Sequence, residues 1–122
     1  MHLHESGEMY LETILLLSKQ KKVVRSIDIS EHMNFSKPSV SRGMKILREN
    51  KFINIDKDGY ITLTKSGQEV AEKIYERHQV LTELLKSYGV DADIAEEDAC
   101  RMEHVISDTS FAAIKKAIKS KE

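Results

Sequence analysis

The sequence predicts a mainly α-helical chain in which a single two-stranded β-hairpin is set among helices. Three observations carry that expectation. Apolar residues recur every three or four positions along most of the chain, which is the period of helices with one buried face. Residues 53–63 instead alternate apolar and polar on both sides of Asp58-Gly59, the period and turn pair of a hairpin. Ser36-Lys37-Pro38-Ser39 opens a short helix directly after another short helix, the pattern of a helix-turn-helix. A hairpin that follows such a pair is a wing. Residues 1–64 are therefore expected to form a winged helix-turn-helix domain with a two-stranded wing, and residues 65–122 an all-α domain.

The elements justify themselves in order. Residues 6–19 read as a helix with Ser6 as N-cap, Glu8 in the first turn and Tyr10, Leu11, Ile14, Leu15 and Leu17 as its core stripe. Met9 and Glu12 share a flank of this helix, and alone they read as core filler and a solvated charge. Gln20-Lys21-Lys22 is a polar break, with Val23 and Val24 as a short extended segment. Ser26 is expected to cap a helix over 26–33 with Ile27, Ile29 and Met33 partly inward; Asn34-Phe35 is the tight connection. Ser36 caps the next helix, Pro38 sits in its first turn where a missing N–H costs nothing, and Val40, Met44, Ile46 and Leu47 face in to about Asn50. Thr64 caps a long helix ending near Tyr88-Gly89, with Val70, Ile74, Leu81, Leu85 and Tyr88 as its stripe. Asp93 is expected to cap the following helix. Ser107 or Asp108 caps a last one through Lys119, with Phe111, Ala112, Ile114 and Ile118 inward and a frayed end at 120–122.

Composition bounds the function. With 122 residues, 40% apolar and 32% charged, the chain is a folded globular protein. It has no apolar run of about 18 residues that would span a membrane, and Met1-His2-Leu3-His4-Glu5 does not begin a secretion signal. One cysteine forms no internal disulfide and agrees with a reducing cytoplasm. Residues 20–65 carry ten Lys/Arg against five Asp/Glu, whereas residues 66–122 carry eight against twelve and residues 1–19 one against three. A basic middle between acidic ends suits a polyanion for the middle and cations for the ends.

Two constellations carry chemistry. On the second helix of the helix-turn-helix, Ser36, Lys37, Pro38, Ser39, Ser41, Arg42 and Lys45 form an exposed polar and basic face, and Lys57 sits at the wing tip. Such donors suit phosphates and base edges in a DNA major groove; the plainer alternative is a solvated basic helix. In the stretch Glu96 to His104, helical spacing puts Cys100, Glu103 and His104 on one face, with Glu96 one turn earlier. A thiol, a carboxylate and an imidazole in one patch form a transition-metal ligand set; the alternative is an acidic surface helix with a half-buried cysteine. His78 falls on the apolar stripe of the long helix, either as a neutral core residue or as a further ligand.

With these elements in this order, the chain resembles the diphtheria-toxin-repressor family of metal-dependent transcriptional regulators, which includes the manganese-transport regulators. Three segments carry the resemblance: Glu8-Met9-Tyr10-Leu11, Arg77-His78, and the run from Asp98 through Cys100-Arg101-Met102-Glu103-His104 to Asp108. The resemblance implies that Met9, Cys100, Glu103 and His104 form the regulatory metal site of the iron-type members. His78 matches a histidine used in both branches, and Glu12 a ligand of the manganese-type members. Glu96 and Thr82 stand where iron-type members carry a histidine and a glutamate of their ancillary site, and the small SH3-like third domain of longer members is expected to be lacking. Met9 and Cys100 look iron-like and Glu12 manganese-like, so Fe²⁺ is the expected ion, Mn²⁺ the alternative, and Zn²⁺ or Co²⁺ are expected to bind in vitro.

The expected function is a cytoplasmic, homodimeric repressor that binds a near-palindromic double-stranded DNA operator when loaded with metal, and so controls metal-uptake genes. The ion would tie the first helix to the dimerisation domain. The alternative is a winged-helix regulator that senses a non-metal ligand or oxidation of Cys100. An enzyme is not expected, because the sequence has no His-Glu-x-x-His, Gly-rich phosphate loop or nucleophile motif.

Overall fold

A computed structural model describes residues 5–120. Its elements are α1 (Glu5–Gln20), α2 (Ser26–Met33), α3 (Lys37–Glu49), β1 (Ile53–Ile55), β2 (Ile61–Leu63), α4 (Lys65–Ser87), α5 (Ala92–Met102) and α6 (Asp108–Ser120). The fold is thus mainly α, with an N-terminal winged helix-turn-helix. Two compact units, Met1–Glu72 and Lys73–Glu122, divide the chain inside α4. Of the end expected to fray, Ser120 closes α6, and residues 121–122 lie outside the described residues.

In the first unit α1 packs on α2, α3 and β2, α2 on α3, and α3 on β1. Leu11, Ile14, Ile29, Val40, Met44, Leu47 and Ile53 are fully buried, as their period requires. Ser6 lies inside α1 rather than at its cap. For α2 the N-cap is Arg25, not Ser26: the Asp28 carboxylate reaches back to the Arg25 N–H at 2.8 Å, so residue 28 rather than a serine satisfies that orphan donor. Ser36 does cap α3, its Oγ accepting the Ser39 N–H at 3.3 Å. Asn34 closes α2 in the left-handed region at φ 58°, a conformation its short polar side chain tolerates. Ile46, expected inward, is 52% exposed; Leu47 takes the core position beside it.

The wing pairs Ile53 with Leu63 and Ile55 with Ile61, antiparallel. That register leaves five residues, Asp56 to Tyr60, in the connection, where alternation around Asp58-Gly59 pointed to a tighter turn. The Asp56 carboxylate decides this: its Oδ1 accepts the N–H of Asp58 and of Tyr60, each at 2.9 Å, an Asx-type turn completed by Gly59 at φ +80°. Val23 and Val24 form no strand, but the Val24 carbonyl accepts the Ile61 N–H at 2.7 Å and so ties β2 to the segment before α2. Thr64 caps α4, its hydroxyl oxygen accepting the Gly67 N–H at 3.2 Å.

In the second unit, Ile74, Arg77 and Leu81 are the buried positions of α4, whereas Tyr88, expected on the stripe, is 71% exposed beyond the helix end. Helix α5 starts from Asp91, two residues before the expected cap at Asp93. Ser107 caps α6 by accepting the Ser110 N–H at 3.1 Å. Phe111 is buried there, while Ala112 is exposed. No helix among the described residues is long and apolar enough to cross a membrane.

Candidate metal centre and nucleic-acid interface

Helix α5 ends at Met102, yet its last turn does not unwind at once. Glu103 keeps helical dihedrals and its N–H still bonds the Ala99 carbonyl at 2.9 Å. This carries Glu103 and His104 one step past the helix on the path that Cys100 begins. Donor atoms of Cys100, Glu103 and His104 all lie within 4.8 Å of one another. His78 on α4 meets the same carboxylate: its Nδ1 is 2.9 Å from Glu103 Oε2. His104 Nε2 is 3.3 Å from the other oxygen, Oε1. One carboxylate therefore stands between two imidazoles. The side chains of Glu103 and His104 are fully buried and that of His78 is 28% exposed. A buried carboxylate is costly without such partners.

A buried arginine holds the turn that carries this group. Arg77 Nη1 donates to the carbonyls of Glu103 (3.1 Å) and Ile106 (2.7 Å). Its Nη2 donates to the Asp108 carboxylate, and the guanidinium lies 5.5 Å from the centre of the Phe111 ring. Lys73 adds an ion pair to Asp108 at 2.8 Å. The Lys73 bond first, and Arg77 less, hold the Asp108 carboxyl below its usual range. Arg77 is thus the residue next to one imidazole and bonded to the backbone of the carboxylate. Its motif drew attention in the sequence, but its role did not; an arginine on the stripe between Ile74 and Leu81 was the available clue.

The other expected ligands are placed as follows. Met9 and Glu12 are half-buried on α1 of the first unit, three residues apart and so on one flank. Glu96 is exposed on α5, outside the close donor group. The Thr82 hydroxyl donates to the His78 carbonyl at 2.7 Å. A thiol, a carboxylate and imidazoles are the donors expected of a first-row transition-metal site, provided the thiol and carboxyl lose their protons and the imidazoles are neutral. The four residues of the second unit supply those donors, so the set fits a divalent ion.

In the first unit, Ser36, Lys37, Pro38, Ser41, Arg42 and Lys45 are exposed, and Ser39 is half-buried. Ser36 Oγ and Ser39 Oγ are 2.8 Å apart, and Arg42 Nη2 donates to Ser39 Oγ at 3.3 Å. This chain of bonds orders the first turn of α3 and restrains Arg42. Arg42, Lys45 and Arg48 line a groove with Ser26, Ser41 and Ile55. Arg48, exposed and three residues past Lys45, extends the basic face by a turn, and its spacing alone would have found it. Lys57 is exposed in the wing turn. The wing is braced by Arg25, whose guanidinium lies 4.8 Å from the Tyr60 ring centre and donates to its hydroxyl at 3.0 Å.

Comparison with known proteins finds a family model for each part of the chain. Residues 2–67 match the family model of the iron-dependent repressor N-terminal DNA-binding domain, and residues 64–121 that of the iron-dependent repressor metal-binding and dimerisation domain. The chain is 31% identical over 113 residues to an HTH-type transcriptional regulator of Methanocaldococcus jannaschii, covering 91% of this chain and 90% of that one. It is 30% identical over 114 residues to the transcriptional regulator MntR of Escherichia coli, covering 93% and 74%. The solved structure of the manganese regulator SloR superposes with a TM-score of 0.82 at 30% identity, covering 98% of this chain and 55% of SloR.

Proposed function

The chain belongs to the iron-dependent repressor family, and from that premise we propose that it represses metal-ion uptake genes in response to Fe²⁺, with Mn²⁺ as the alternative ion. It is a metal-dependent transcriptional regulator and not an enzyme. The observation that carries the metal reading is the buried Glu103 carboxylate between His78 and His104, with the Cys100 thiol within reach.

The proposed ligand set is His78, Cys100, Glu103 and His104, completed by Met9 and Glu12 of α1. The chemistry of these two residues and their match to the family motif support the last step. Glu96 is left out because it is exposed. A bound divalent ion supplies the positive charge that offsets the gathered carboxylates. Sulfur donors favour Fe²⁺, Co²⁺ or Zn²⁺ over Mn²⁺, which supports iron; the likeness to a manganese regulator supports the alternative. Zn²⁺ and Co²⁺ are expected to bind in vitro because intrinsic affinity does not set the cellular choice.

The α3 face then reads DNA. Lys37, Lys45, Arg48 and the wing Lys57 suit phosphates; Arg42, Ser39 and Ser41 suit base edges. Two copies related by a two-fold axis would present two such helices to a near-palindromic operator in the cytoplasm. The test is binding to a duplex selected from a random pool, by wild type and by Glu103→Ala, with Fe²⁺, with Mn²⁺ and with chelator. The metal should tighten wild-type binding by about 5- to 150-fold, the span of ordinary coupling, and Glu103→Ala should lose most of that gain. Equal affinity in every condition would sink the reading. Binding indifferent to chelator but altered by thiol oxidation would favour the redox alternative.

A further inference from the structure

We propose that Tyr10 is a positioning residue that couples helix α1 to the recognition helix α3 through a contact with Gly43. The inference rests on the metal-gated reading above and names the device, within the first unit, by which the state of α1 reaches the DNA-reading face.

Gly43 stands in the middle of α3, where glycine is a poor helix former and calls for a packing reason. The reason is the Tyr10 ring. A Cβ on residue 43 would lie 2.4 Å from Tyr10 Cε2 and 3.0 Å from Cδ2 and Cζ. Only a residue without a side chain admits the ring this close to the α3 backbone. The same ring meets Phe35, in the turn between α2 and α3, edge to face with centroids 6.0 Å apart. Its hydroxyl reaches towards the Ser39 carbonyl at 3.5 Å. Ser39 in turn binds Ser36 and Arg42. Tyr10 is 6% exposed, so the ring has little room to move unless its neighbours move.

Tyr10 also adjoins Met9. Successive residues of an α-helix point about 100° apart, so Met9 and Glu12 share one flank of α1 while Tyr10 points to another. A roll or shift of α1 that brings Met9 and Glu12 to their place must carry the ring with it. Because packed interiors do not deform continuously, the ring pushes the backbone at Gly43 and the turn at Phe35 as a unit. The first turn of α3, with Arg42, is displaced or seated accordingly.

The test uses the whole protein and the selected duplex, with Mn²⁺ as the probe ion. The readout is the ratio of duplex affinities with Mn²⁺ and with chelator, alongside Mn²⁺ affinity without DNA and the thermal midpoint. Gly43→Ala and Tyr10→Leu are expected to reduce the ratio to below about 3-fold, from a wild-type value within the usual 5- to 150-fold, while Mn²⁺ affinity without DNA stays within about 3-fold. Tyr10→Phe, which keeps the ring and loses only the long hydroxyl contact, should retain the ratio. The double variant Gly43→Ala/Tyr10→Leu, in which the new methyl meets no ring edge, should regain DNA affinity over Gly43→Ala in chelator, a readout that needs no metal. A wild-type ratio of one overturns the metal-gated reading and the coupling with it. A large wild-type ratio that persists in Gly43→Ala and Tyr10→Leu overturns the coupling alone. Equal weakening of both states in those variants, with the ratio intact, does the same by showing a merely structural role.

Discussion

At Glu103 the chemistry of the second unit converges, and the residue that holds it there is Arg77. The arginine donates to the Glu103 backbone carbonyl, so it acts on the ligand by fixing the turn. Partners of this kind are worth about 10- to 100-fold in metal affinity. Arg77→Lys keeps the charge but loses the fork that spans two carbonyls and a carboxylate. It should weaken Mn²⁺ binding by about that factor in a competition titration with a chelating dye, with the helical circular dichroism retained. Affinity within about 2-fold of wild type would show that the turn holds itself. Single positions also separate neighbours that the sequence treats alike. Leu47 is 1% and Ile46 52% exposed. Leu47→Ala should cost about 2–5 kcal/mol, whereas Ile46→Ala should stay within about 0.5 kcal/mol. Urea midpoints measure both.

Among the elements, the junction of α2 with the wing shows how a short helix and a marginal hairpin support each other. A lone two-stranded hairpin is barely stable. Here β2 bonds to Val24 and Tyr60 lies under Arg25, the N-cap residue of α2. Asp28 secures that cap from the other side, accepting from the Arg25 N–H and from Lys21 Nζ at 2.9 Å. The Lys21 bond, then the backbone bond, holds the Asp28 carboxyl below its ordinary 3.8. A carboxyl lowered in the folded state contributes stability that is full above the unfolded value and lost as pH falls through the folded one. Wild type should therefore lose more stability than Asp28→Asn between about pH 5 and pH 2, read from urea midpoints across that range. Identical acid limbs would show that the pair is fully screened.

For the whole molecule, the proposed function assigns anions to the basic face and cations to the acidic second half. Phosphate contacts make affinity fall with salt in proportion to their number, with a slope of about −0.9 for each phosphate neutralised. Lys57 is exposed at the wing turn. If it meets a phosphate, Lys57→Ala should lower the slope of log affinity against log salt by about one for each subunit bound, with no change in sequence preference. An unchanged slope would remove the wing tip from the interface. Arg42→Ala should instead relax discrimination between duplexes, because a restrained guanidinium suits a base edge.

The sequence by itself determined the order of elements, because hydrophobic period, the Ser36 cap, Pro38 and the Asp58-Gly59 pair are local properties that act within a few residues. It likewise determined the spacing of Cys100, Glu103 and His104, since one helical turn sets it. Helix ends and caps were less legible: Asp28 reaching back to Arg25 and Asp56 widening the hairpin turn are choices among several polar residues, each worth little. Three facts belong to tertiary structure alone. The Glu103 carboxylate meets the imidazole of His78, 25 residues away in sequence. Arg77 is buried on an α4 stripe that reads as apolar. Gly43 faces the Tyr10 ring. Each is a long-range juxtaposition at which the local sequence, an arginine on an apolar stripe or a glycine in mid-helix, only hints, so the packing of one element on another decides it.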